Sequence, residues 1–216
     1  RCQSHQRVAV SGLGGTGKTA LALKYAEQYD SHYQFVHFMN GGNPQLIVDG
    51  FLKLADDLDI LANNVEERLT ALKRQLDRLE YDYLLIIDGV DHPAIFEELS
   101  ILLPERGKCV LLTSRMPHQA KNLNFDVMDL TPLEREEAVD YLVNVTENSG
   151  REEAAQLAER LGDLPLALAH AAAYIVKRRQ SFTVYLEQFN KFNFELFSDK
   201  SLKIGKNKKT ILITWK

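Results

Sequence analysis

The sequence predicts a layered α/β fold that gives way, after Leu130, to helices alone. Two observations predict it. Five short β-type runs fall within the first 130 residues, and amphipathic helical patterns separate most of them. Alternation of this kind implies right-handed crossovers and a parallel sheet covered by helices.

The runs are RVAVS (7–11), FVHFM (35–39), YLLIID (83–88), CVLLTS (109–114) and FDVMDL (125–130). The first, third and fourth carry few polar interruptions, as expected of strands buried on both faces. Between them, residues 19–30, NPQLIVDGFLKLADDLDIL and VEERLTALKRQLDRL place apolar residues at three- and four-residue spacing, which is helical periodicity. Beyond the last run, TPLEREEAVDYLV reads as a helix start. Thr131 serves as N-cap, Pro132 stands at the first helical position and Glu134 completes a capping box. SGREEAAQLAERLG repeats the pattern with Ser149 as cap and Gly162 as stop, and LPLALAHAAAYIVKRR follows with Pro165 near its start. These signals set a domain boundary near Thr131.

Composition excludes several classes. Hydrophobic residues make up 45% and charged residues 26% of the 216, enough for a sizeable core without staples. The net charge of −4 gives no global argument for nucleic acid. The six lysines from Lys200 to Lys216 read as a solvated edge rather than a basic tail, because they alternate with apolar residues. No apolar run reaches the roughly 18 residues that cross a bilayer, so no membrane partner is expected and a cytoplasmic location is the default. Cys2 and Cys109 make no metal spacing and are expected as free thiols. Both ends read as cut, which suggests a piece of something longer.

The chemistry begins at SGLGGTGKTALA. Gly12, Gly17, Lys18 and Thr19 fit G-x-x-x-x-G-K-[ST], with a strand-like run before and a helical run after. Glycines let successive N–H groups converge on phosphate oxygens, and the helix start adds partial positive charge. Lys18 is expected to reach the β- and γ-phosphates and Thr19 to offer its hydroxyl to Mg²⁺. Such a loop needs a carboxylate at a neighbouring strand end to help hold the metal. Asp88, closing YLLIID, supplies it; its bland alternative is a turn residue before Gly89. The next acid is Asp91, which either orients an attacking water or caps the HPAIFEEL helix. His92 reads as a turn residue. Arg115, at the end of CVLLTSR, is placed to contact a γ-phosphate, against the alternative of a surface arginine.

SGLGGTGKTALA, LLIIDGVD, LLTSR, LTPL and LGDLPLALAHAAAYI together resemble NB-ARC domains, of the STAND class of P-loop ATPases. The resemblance covers nearly the whole chain. It implies a five-stranded parallel sheet in the order 5-1-4-3-2 over residues 1–130, a small all-helical domain over 131–196 and the start of a winged-helix domain at 197–216. It implies ATP or ADP with Mg²⁺ as the bound group. The nucleotide-contacting set becomes Gly12, Gly14, Gly15, Thr16, Gly17, Lys18, Thr19 and Ala20, joined by Pro165 of LPLAL; Thr19 and Asp88 hold the metal. Asp88, Asp91 and Arg115 are the candidate catalytic set. Three departures stand out: the segment before the first strand is absent or cut, Asp163 fills a position often held by glycine, and the winged-helix domain is missing beyond TILITWK.

The expected function is a nucleotide-dependent switch that self-associates through the nucleotide-binding domain, acts with domains outside this chain, and hydrolyses ATP slowly at most. Gly89 beside Asp88 and the displaced Asp91 weigh against a turnover ATPase. A small-molecule kinase lacks a lid segment, and a scaffold with a merely structural nucleotide remains a third reading.

Overall fold

The computed structural model describes residues 6–105 and 109–192. The expected winged-helix start at 197–216 and its lysines lie outside the described residues. By contact the chain divides into two compact units at Asp129–Leu130, with the short segment Leu13–Gly17 grouping with the second unit.

The first unit is built on five parallel strands: β1 (Gln6–Ser11), β2 (Val36–Asn40), β3 (Leu84–Asp88), β4 (Cys109–Ser114) and β5 (Asp126–Asp129). Their order is β2-β3-β4-β1-β5, the 5-1-4-3-2 sheet read from its other edge. Leu84 through Ile87 are all buried, as a central strand covered on both faces requires. The edge strands differ: Phe38 of β2 and Met128 of β5 are each about half exposed.

Helices α1 (Lys18–Tyr29), α2 (Pro44–Asp57), α3 (Val65–Arg78), α4 (Pro93–Leu102) and α5 (Pro117–Asn122) complete this unit. Local chemistry starts several of them. Asn43 and Asn64 accept from the N–H groups of Leu46 and Glu67, each at 2.9 Å, and Pro44 stands at the first turn of α2. Ile47, Phe51 and Leu54 of α2, with Leu72 and Leu76 of α3, pack into one core with Met39, Leu85, Ile87, Val110 and Leu112. The six-residue α5 was not expected from the sequence; its buried Ala120 holds it.

Cys109 is disulfide-bonded, which corrects the free-thiol expectation for this residue. Spacing along the sequence carries no sign of it. Cys109 opens β4, where it stands in register with Gln6 of β1.

The second unit holds α6 (Arg135–Thr146), α7 (Arg151–Arg160), α8 (Pro165–Arg178) and α9 (Phe182–Phe192). Its own core gathers Leu142, Leu157, Leu161, Leu168, Ile175 and Tyr185. Helix α6 has its N-cap at Glu134, whose N–H donates to the Glu137 carboxylate at 3.1 Å, and not at Thr131. The reason is tertiary. The Leu133 N–H donates to the Asp163 carbonyl at 3.1 Å, holding the LTPL segment outside the helix. Helix α7 begins after Gly150 rather than on a Ser149 side-chain cap, and ends as expected at Gly162, whose φ is 62°. Asp163 follows with φ 53°, the left-handed region that favours glycine. Arg135 secures it with two parallel bonds, Nε to Oδ1 at 2.8 Å and Nη2 to Oδ2 at 2.9 Å. This accounts for an aspartate where glycine is common.

Candidate nucleotide site

The carboxyl ends of the central strands lie side by side, since Ser11 pairs with Ser114 and Asn40 with Asp88. Ligands of open parallel sheets bind beyond such ends. From β1 the chain enters a loop in which Gly12, Gly15 and Gly17 have φ of 149°, 85° and 98°. These are conformations in which backbone N–H groups form an anion-binding concavity. A Cβ placed on Gly17 would meet nothing within 4 Å, so open space lies over the loop there. Thr16 is buried and its Oγ1 donates to the Leu13 carbonyl at 2.9 Å, which shapes the turn. Gly14 is buried and Ala20 exposed.

Lys18 opens α1 and its Nζ donates to the Gly12 carbonyl at 2.8 Å, lying back along the loop. Burial holds its pKa below the usual lysine value, and Arg115 pushes the same way, while Asp91 and Asp88 oppose both. Lys18, Asp88, Asp91 and Arg115 therefore share one electrostatic neighbourhood.

Asp88 is fixed by two hydroxyls on one oxygen. Thr19 Oγ1 donates to Oδ1 at 2.7 Å, and Thr113 Oγ1 donates to the same atom at 2.6 Å. The direction of the second bond follows from its surroundings. The Gly89 N–H donates to Thr113 Oγ1 at 2.8 Å, so the threonine proton turns to the carboxylate. A threonine hydroxyl beside a carboxylate is the hard-oxygen donor set that Mg²⁺ takes. The loop and this pair fit a nucleotide polyphosphate with its magnesium ion.

Sequence reasoning missed the mesh behind Asp88. Thr113 also accepts the Val90 N–H at 2.9 Å through its carbonyl, and Ser114 Oγ donates to the Val90 carbonyl. Gly41 donates to the Asp88 carbonyl at 2.7 Å, and a Cβ there would stand 2.7 Å from Val90 Cγ2, so only glycine fits. The available signal was the threonine–serine pair closing β4, two small hydroxyls ending an otherwise apolar strand.

Asp91 does not cap α4, as one of its two expected places required. His92 caps α4, its Nδ1 accepting from the Ala94 N–H at 3.2 Å. Both oxygens of Asp91 face Arg115: the Arg115 backbone N–H donates to Oδ1 at 2.7 Å and Nε donates to Oδ2 at 2.8 Å. Pro165 stands at the first turn of α8, partly buried, in the second unit.

The NB-ARC domain family model matches residues 1–151. The chain belongs to the NB-ARC family. An NB-ARC domain of this kind is a nucleotide-binding P-loop module, which agrees with the loop geometry above. Among relatives, the regulatory protein AfsR of Streptomyces griseus is 27% identical over 184 residues, covering 79% of this chain and 18% of the relative. A nucleotide-binding leucine-rich repeat (NLR)-like protein of Hyaloscypha variabilis is 26% identical over 209 residues, covering 85% and 21%. The NB-ARC chain thus spans about a fifth of the length of these relatives. Two solved structures share its fold. A STAND protein with a tetratricopeptide repeat sensor from Pyrococcus horikoshii aligns with TM-score 0.54 and 20% identity, over 90% of this chain and 30% of that one. The ORC1 protein of Aeropyrum pernix, in complex with DNA, aligns with TM-score 0.59 and 17% identity, over 90% and 61%. Among the described residues no helix is long and apolar enough to cross a membrane.

Proposed function

We propose that this NB-ARC domain is the ATP- and ADP-binding switch of a STAND-type signalling protein, in which nucleotide exchange governs domain closure and self-assembly. The observation that carries the reading is Arg115 at the end of β4, in the same electrostatic neighbourhood as Lys18. A cation beside the lysine that reaches the terminal phosphates gains contact energy when a γ-phosphate is present and loses it when absent. Only such a difference between states can shift a conformational equilibrium.

The residues take these roles. Gly12, Gly14, Gly15, Thr16 and Gly17 wrap the phosphates, with Lys18 and Ala20 at the start of the helix. Thr19 and Asp88 would hold Mg²⁺, which neutralises phosphate charge when bound. Pro165 offers a rigid apolar ring to the base or ribose from the helical domain, whose limits we set at 131–196. Slow hydrolysis fits the carboxylates. Asp88 is held by two threonines, the next residue is Gly89, and Asp91 is engaged with Arg115 at both oxygens. One relative is a regulatory protein and another NLR-like by name, which supports signalling over small-molecule metabolism.

The test is the nucleotide that co-purifies with the full chain, released by denaturation and quantified, together with mass from light scattering. ADP held in a monomer is expected. Nucleotide-free protein that turns over ATP continuously would sink the switch and favour a turnover ATPase.

A further inference from the structure

We infer that Asp91 is a positioning residue for Arg115, which sets the arginine's guanidinium for a γ-phosphate rather than activating a water. The inference rests on the sensor reading of Arg115 given above.

One carboxylate spans the backbone N–H and the Nε of the same residue, at 2.7 and 2.8 Å. That closes a ring through the arginine side chain and fixes its course from Cα to Nε. The terminal nitrogens, Nη1 and Nη2, are then the donors left for a phosphate, and they sit on a stem that has already lost its rotamer freedom.

Asp91 is itself anchored. Before it, Val90 is fully buried, with its N–H on the Thr113 carbonyl at 2.9 Å and its carbonyl on Ser114 Oγ. After it, His92 caps α4. The carboxylate is thus carried on a rigid corner between β3 and α4, facing the end of β4. Its side chain is 28% exposed and that of Arg115 44%. A pair so open to solvent gains little from charge attraction alone. The contribution is geometric, and it acts on the arginine. A water-orienting base, by contrast, needs its oxygens directed to the water.

The test is a double-mutant cycle on the full chain, reading equilibrium affinity for ADP and for a slowly hydrolysed ATP analogue, each with Mg²⁺. Asp91→Asn keeps the shape but leaves one of the two N–H groups of Arg115 without an acceptor. The expected result is a loss of about tenfold in analogue affinity, the order of one charge-assisted hydrogen bond, with ADP affinity changed less than about twofold. In an Arg115→Ala background the same substitution should add nothing, because its effect runs through the arginine. Asp91→Glu, which keeps both acceptors on a longer stem, should recover part of the loss.

Three results would overturn the inference while leaving the sensor standing. They are an undiminished effect of Asp91→Asn in the Arg115→Ala background, an equal loss for both nucleotides, or no loss for the analogue. If Arg115→Ala alone weakens both nucleotides equally, the sensor reading falls and takes this inference with it.

Discussion

Two arginine–aspartate pairs, one in each unit, use the same groups in different ways. Arg135 meets Asp163 side-on, spending Nε and Nη2 on the two carboxylate oxygens. Arg115 meets Asp91 along its stem, spending its backbone N–H and Nε. The first arrangement closes the fork on a turn whose aspartate has a φ of 53°. The second leaves the outer end of the guanidinium for another acceptor. The first holds a backbone, and the second, on the inference above, presents a cation. Exposure does not separate them, since the arginine side chains are 41% and 44% exposed. What separates them is which nitrogens are used.

Substitutions can break this contrast. The largest effect is expected behind the Arg115–Asp91 pair, at Thr113, which is 1% exposed and bridges Asp88 to the Gly89 N–H. Thr113→Val leaves that N–H without its acceptor and the carboxylate with Thr19 as its one hydroxyl donor, at a cost of about 1–3 kcal/mol in denaturant unfolding. Magnesium-dependent nucleotide affinity should fall with it, and Thr113→Ser should recover most of both. A valine that is neutral in both measurements would show that the mesh behind Asp88 is incidental.

A smaller effect is expected at the side-on pair. Asp163→Ala puts an alanine into the left-handed region, at a cost of about 1–2 kcal/mol. Asp163→Gly removes the same carboxylate yet adopts that φ freely, so its loss should be smaller. Read by thermal unfolding, the gap between the two variants isolates the backbone term. Equal losses would mean that the Arg135 fork, and not the backbone, sets the stability of this turn.

The same contrast shows what was legible in the sequence. The five strands, the phosphate loop and Asp88 at a strand end follow from short-range patterns: apolar runs, glycine spacing, an acid after a β-type run. The start of α6 did not follow. Its capping signal at Thr131 is real in sequence but is overridden by Leu133 bonding to Asp163, thirty residues on. Asp91 and Arg115 were both singled out, yet as separate actors. Nothing local links residues 24 apart; adjacency of β3 and β4 in the sheet does. Thr113 was passed over because a hydroxyl ending a buried strand looks like any turn-side residue until Asp88 is beside it. Asp163, noted as an oddity against glycine, needed the Arg135 fork to explain it.

The central claim is that the Arg115–Asp91 pair makes this NB-ARC domain read the γ-phosphate. Its most direct test compares ADP with a slowly hydrolysed ATP analogue, by titration calorimetry, in the wild-type chain and in Arg115→Ala. The substitution should weaken the analogue by about tenfold and leave ADP nearly unchanged, a difference of about 1.4 kcal/mol. Equal weakening of the two nucleotides would contradict it.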